Sequence, residues 1–349
     1  MAESSCSSLL VEPLKAVHLT LLQASDQNAL LPKLQSFLIR SWIAQAEKLV
    51  PGLLLSRQPI ALVAREAEAL RSLLLISPHN RQGTCWRLEL QPLTAPISHS
   101  QGQVSRELFN LALLGSHARS KSWVVRCSSG DRDQLALLRE LGFQPIRTLR
   151  RWRVPHQPRG EGSATWPTGC SWSAIDRHTA PLIWPLDQAS TTSHQRQIVD
   201  RHPIDLLDQA GVGSGVLLAN PRDCSQTNPF VALACLVRQQ RSDEAQVVEL
   251  LRDPAWDERL EQAIPALLNQ LAECCPQATL VCNQEDAPLS QCLDGMGWPA
   301  LDDEILLGRS LWKRQSAPRR LQGTRPLESM LGQLQPQRPP LPTPSLGGH

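Results

Sequence analysis

Three groups of residues in this sequence have types and spacings that could do chemistry, and each makes a definite demand on the fold. Gly211, Gly213 and Gly215 in "QAGVGSGVLLAN" have the look of a dinucleotide-binding turn. That turn needs a strand before it and a helix after it, so that phosphates meet a helix N-terminus. Here a helical pattern precedes and an extended one follows, so the expected role is a helix C-cap running into a loop. Arg147, Arg150, Arg151 and Arg153 in "IRTLRRWRV" could hold phosphate. They straddle both faces of a strand, which suits charges guarding a sheet edge better. The ten cysteines include the adjacent Cys274 and Cys275, followed by Cys282 and Cys292. None forms the paired CxxC sets of a zinc site, so no metal is expected.

The elements that position these residues follow from periodicity. Extended runs are expected at 16–23, 59–67, 70–77 and 85–93, with a helix over 29–50 between the first two. Short turns such as "HNRQG" join the later runs and favour antiparallel pairing, because a parallel crossover needs a dozen residues or more. A helix from about Gln103, a strand over 122–129, a helix over 131–141 and a strand over 144–154 complete the first half. "PHQPRGEGSATWPTG" (155–169) is rich in Pro, Gly and Ser and reads as a linker. The same order then returns: a strand at "CSWSAID", helices through "HQRQIVDRHPIDLLDQAG", three strands, a helix, a strand, a helix and a last strand.

The return is positional. Cys127 and Cys282, Asp131 and Asp286, Leu138 and Leu293, Gly142 and Gly297, and Phe143 and Trp298 all stand 155 residues apart, with no gap needed. Self-similarity at a fixed offset is the mark of an internal duplication. The expected organisation is an N-terminal extension (1–15), a first unit (16–154), the linker (155–169), a second unit (170–314) and a basic, proline-rich, disordered tail (315–349). The expected class is α/β (α+β), each unit a mixed, mainly antiparallel sheet flanked by helices.

This order, with "LLRELGF" (137–143) and the weaker "CLDGMGW" (292–298), resembles the GNAT superfamily of acyl-CoA-dependent N-acyltransferases, in which "LYEKLGF" often stands there. The resemblance implies tandem GNAT-like units, the second degenerate. It implies a pyrophosphate-binding turn, Q/R-x-x-G-x-G/A, opening the helix after the fourth strand. His99, Gly102 and Val104 occupy those positions in "SHSQGQVSRELF", and the amides of Gly102, Gln103, Val104 and Ser105 would hold the diphosphate at a helix N-terminus. Glu89, on the fourth strand, would be the general base; Glu249 is its candidate in the second unit. Cys127 would lie near the acyl site, as a weak donor or a structural thiol. Acetyl-CoA or another acyl-CoA would bind the first unit only, because Asp257 stands opposite Gly102 and repels a diphosphate.

The sequence departs from the family at its acid. Leu138 and Leu293 replace the tyrosine, and the chain contains no tyrosine at all. Two functions therefore follow from the resemblance: N-acyl transfer to an unidentified amine, or a catalytically inactive GNAT-fold protein that binds a partner. A net charge of +2 argues against nucleic acid as the partner of the whole molecule. No apolar run reaches the ~20 residues that span a bilayer, and no secretory signal opens the chain. A cytoplasmic protein with free thiols is the expectation.

Overall fold

The computed structural model describes residues 9–47, 58–66, 69–93, 100–115, 120–155, 166–220, 230–239, 246–256 and 258–311. The tail (315–349), most of the linker, His99 and Asp257 lie outside the described residues. The first half runs β1 (Leu9–Pro13), α1 (Ala16–Leu19), α2 (Ala24–Glu47), β2 (Ile60–Glu66), β3 (Ala69–Pro78), β4 (Cys85–Pro92), α3 (Gln101–Leu114), β5 (Ser122–Ser128), α4 (Arg132–Glu140) and β6 (Gln144–Arg153). The second runs β7 (Cys170–Ser173), α5 (Ala180–Ser190), α6 (Ser193–Val199), α7 (Pro203–Leu207), β8 (Gly215–Ala219), β9 (Val231–Gln239), β10 (Val247–Arg252), α8 (Glu258–Cys274), β11 (Thr279–Asn283), α9 (Ala287–Gly295) and β12 (Glu304–Ser310).

Two elements differ from expectation at the start. The strand expected over 16–23 is a helical turn, because the Lys15 N–H donates to His18 Nδ1 (3.0 Å) and closes the chain on itself. The first strand is instead β1, inside the segment read as an extension, paired antiparallel with β2. The sequence pattern also misses α5, whose Pro181 and Pro185 disguise it. Pro181 lies in the first turn, where its absent N–H has no intrahelical partner; Pro185 lies inside the helix.

All twelve strands form one mixed, mainly antiparallel sheet, ordered β1-β2-β3-β4-β5-β12-β6-β11-β10-β9-β8-β7. Among the described residues only β4–β5 and β10–β11 are parallel. The last strands of the two halves are exchanged: β12 lies against β5 of the first half, and β6 against β11 of the second. Leu149 pairs with Glu304, 155 residues on (304 minus 149), so the exchanged strands meet at matching positions of the repeat. Matching roles recur elsewhere. Asp131 and Asp286 each cap a helix, accepting from the amides of Gln134 and Leu289. Gly142 and Gly297 both have positive φ, +83° and +76°, which glycine alone adopts without strain.

The exchange also crosses the cores. α3 and α4 cover one cluster, to which β12 contributes Leu307; α8 and α9 cover another, to which β6 contributes Trp152 and the residue just after the strand, Val154. Both lie on the same face of the sheet. On the opposite face α1 and α2 pack near one end and α5 and α7 near the other. Between them α6 meets the central strands, with Ile198 and Val199 against Cys85, Val124, Leu149 and Leu306. Gly308 makes this fit possible, because a Cβ there would meet Ile146 Cδ1 at 2.4 Å and Ile198 Cγ2 at 2.8 Å.

The arginine strand β6 is therefore central rather than an edge. Its charges meet acids of the second half: Arg147 with Glu249 (3.4 Å), Arg150 with Asp303 (3.1 Å) and Arg151 with Glu304 (3.4 Å). With six strands on one side of it and five on the other, β6 needs those partners to hold partly buried cations in mid-sheet.

Candidate functional site

The sheet opens where its parallel strands part. β4 and β5 pair from Cys85–Ser122 to Leu88–Val125, after which β4 continues to Pro92 and β5 to Ser128. Between the diverging ends lies a cleft of about 150 Å³, lined by Glu89, Leu90, Arg126, Cys127, Gln134 and Glu304 among others. Glu89 Oε1 faces Arg87 at 3.3 Å, while Oε2 is buried with no hydrogen-bond partner among the described residues. A buried carboxylate oxygen without a donor is costly, so this atom is poised to accept a proton or a hydrogen bond from an occupant.

Glu89 and Cys127 belong to opposite faces of the sheet at this cleft. Cys127 packs with the α3–α4 core, its thiol against Gln134 Oε1 (3.4 Å). Burial, reinforced by Asp131 and Glu304, pushes that thiol up to about 12, so it stays protonated at neutral pH and is no thiolate nucleophile.

Gly102, Gln103, Val104 and Ser105 form the first turn of α3 and do not contribute to the lining of the cleft. Ser100 caps the helix, accepting from Gln103 N–H at both its carbonyl and hydroxyl oxygens, and from Val104 N–H at its carbonyl. The Val104 side chain is fully buried in the core, so its branching does not crowd the approach from solvent. A Cβ on Gly102 would meet nothing within 4 Å. No acidic residue stands in this first turn, whereas α8 carries Glu258 and Glu261 in its own. Carboxylates there satisfy the helix dipole and oppose an incoming anion.

At the second cleft, the matching place between β10 and β11, the parallel pairing runs one residue further, to Glu249–Val281, and side chains bridge the strands' ends. Val248 pairs with Leu280, 155 residues after Val125, the partner of Leu88, so Glu249 holds the place of Glu89. Glu249 is bound on both oxygens, by Arg147 (3.4 Å) and by Gln239 Nε2 (2.7 Å). Burial raises its pKa, but the charges of Arg147, Arg201 and Arg126 and the Gln239 hydrogen bond outweigh that and hold it below the ordinary value. Beyond it Arg252 spans from β10 to the cap of α9 in two bonds of 2.7 Å to Asp286, with its guanidinium over Trp256. A bidentate pair of this kind fixes both elements.

Leu138 and Leu293, at the positions where the resemblance implies an acid, are fully buried. The sequence carried no local sign of another group that the structure draws together. Arg81, Arg87, Arg126 and Arg201 line a second and larger cavity of about 230 Å³ on the α6 face, with His79 and Gln239. Among the described residues no helix is long and apolar enough to cross a membrane.

No family model matches the chain, and no curated protein matches it. Solved structures similar to it include a GCN5-related N-acetyltransferase from Sphaerobacter thermophilus, at 10% identity and a TM-score of 0.48 over 86% of this chain and 95% of that one. A tandem GNAT protein from the clavulanic acid biosynthesis pathway matches at 11% and 0.47, covering 87% and 98%. A Drosophila protein matches at 11% and 0.49, covering 87% and 99%.

Proposed function

We propose that this chain is a tandem GNAT-like N-acyltransferase of the cytoplasm, in which the first half binds an acyl-CoA and transfers its acyl group to an amine. The observation that carries this reading is the open cleft between β4 and β5, with a buried Glu89 oxygen that has no partner among the described residues. Glu89 takes a proton from the ammonium of the acceptor. The freed nitrogen attacks the thioester carbonyl, a C–N bond forms, the C–S bond breaks, and the proton the nitrogen must still lose passes through water to the leaving thiolate. The head of α3, with Gly102 open to solvent, holds the diphosphate.

Titration calorimetry of acetyl-CoA into the wild type and into Gly102→Glu tests the reading. The added side chain enters open space, so the variant folds. Saturable binding that this substitution abolishes, together with loss of acyl transfer in Glu89→Gln, is the expected result. Absence of both heat and thermal shift with every acyl-CoA tried rules the reading out. It would favour a protein that keeps the fold to bind a partner, a reading supported by the buried leucines at 138 and 293.

A further inference from the structure

The larger cavity, on the α6 face, is assembled from both halves of the chain. The turn between β3 and β4 brings His79 and Arg81, β4 and β5 bring Arg87 and Arg126, the loop after α6 brings Arg201, and β9 brings Gln239. Its construction is deliberate in the physical sense that many specific bonds hold it. Asn80 Nδ2 donates to the carbonyl of Asp200 (2.9 Å), and Thr84 Oγ1 donates to the Asp200 carboxylate (3.0 Å). Asp200 itself is held at φ +48°, a conformation that a non-glycine residue adopts only where its surroundings impose it. Arg81 completes the junction, its N–H to Asp205 Oδ1 (2.7 Å) and its guanidinium bidentate to Asp208.

Four arginines against two aspartates, Asp205 and Asp208, line this space. Three of the arginines also pair with acids behind the wall: Arg87 with Glu89, Arg126 with Glu304 and Arg201 with Asp187. With Arg81 on Asp208, all four are tethered by carboxylates, which holds their guanidinium groups around the space. Among the described residues the wall also keeps His79 Nδ1, Gln209 Oε1 and Gln239 Oε1 without hydrogen-bond partners; the two amide oxygens accept only, so they suit a hydroxyl or ammonium group carried by the anion rather than its charged oxygens. Gln239 is not misoriented, since its Nε2 is committed to Glu249. Burial, then the charges of Arg87, Arg201 and Arg126, push the His79 pKa well below the ordinary value, so the imidazole is neutral at neutral pH. At 230 Å³ the space equals the liquid volume of roughly eight waters at ~30 Å³ each, enough for a compact metabolite.

We propose that this cavity is a binding site for a small organic anion bearing a carboxylate or phosphate group. The site stands independently of the acyl-transfer reading, although Arg87 and Arg126 form walls of both cavities.

The test is calorimetry on the full chain with three probes: inorganic phosphate, succinate and aspartate. Two variants report on place. Gln209→Glu puts a carboxylate into the wall at constant shape, and Arg81→Gln removes a cation whose partner Asp208 is exposed enough to remain hydrated. The expected result is saturable binding of at least one probe, weakened tenfold or more by Gln209→Glu, with acetyl-CoA titrations the same in wild type and both variants. Phosphate alone identifies a phosphoryl ligand; succinate or aspartate identifies a carboxylate. No saturable heat or thermal shift from any of the three overturns the proposal, and so does binding that neither substitution changes.

Discussion

The two clefts begin from one plan and end in opposite states. In each, parallel strands part beside a glutamate, and an aspartate caps the helix that follows. In the first, a carboxylate oxygen of Glu89 lacks a partner among the described residues and the first turn of α3 carries no acid. In the second, Glu249 is bound on both oxygens, Arg252 ties β10 to Asp286, and acids open α8. The same duplicated frame thus serves as an opening once and as a strut once. Position within the fold does not decide which; the charge placed at each mouth does.

The largest effect should come from the strand exchange that joins the clefts. Trp152 belongs to the first half by sequence and to the second half's core by packing. Trp152→Ala should cost about 3–5 kcal/mol. In urea unfolding it should lower the midpoint reported by probes in the second half at least as much as by probes in the first. Independent midpoints for the two halves would break the picture of linked cores.

Next come the matched caps. Asp286→Ala should cost about 3 kcal/mol, since it strands the Arg252 guanidinium as well as uncapping α9. Asp131→Ala should cost only about 1 kcal/mol, the ordinary price of a cap. Equal losses in thermal or denaturant melts would mean that the Arg252 bridge contributes little and that the second cleft is not held shut by it.

The smallest effect is a pH dependence confined to the shared cavity. His79 has a folded pKa below its unfolded value of about 6.5, so the unfolded chain binds the extra proton. Stability is then fully present above about pH 6.5 and falls as pH drops below it, by at most about 1.4 kcal/mol per pH unit. His79→Leu should flatten that part of the stability profile. A wild-type and variant profile of equal slope between pH 6.5 and 5 would remove His79 from the account.

Much of this was legible in the residues themselves. The 155-residue offset located both glycine turns, both caps and the order of elements, because those depend on contacts close in sequence. In sequence the arginines of β6 look like edge guards, because nothing local announces that a strand's neighbours lie in the other half of the chain. For the same reason the arginine cavity was invisible: Arg81 and Arg201 are brought together only by the docking of α6 on the β3–β4 turn. Glu89 was legible through the family resemblance, but its orphaned oxygen depends on tertiary packing. Prolines hid α5, and a three-residue backbone-to-histidine bond turned an apparent strand into α1.

The exchanged strands also have a consequence in time. On the ribosome β5 emerges 182 residues before its neighbour β12 is complete (310 minus 128). At the usual ~5–20 residues per second, one flank of the first half's sheet stays open for roughly 10 to 35 s. During that interval the backbone groups of β5 and β6 that will pair with β12 have no permanent partner. A nascent chain of this design presents a sticky edge, and its yield should therefore depend on synthesis rate and on chaperones that shield unpaired strands.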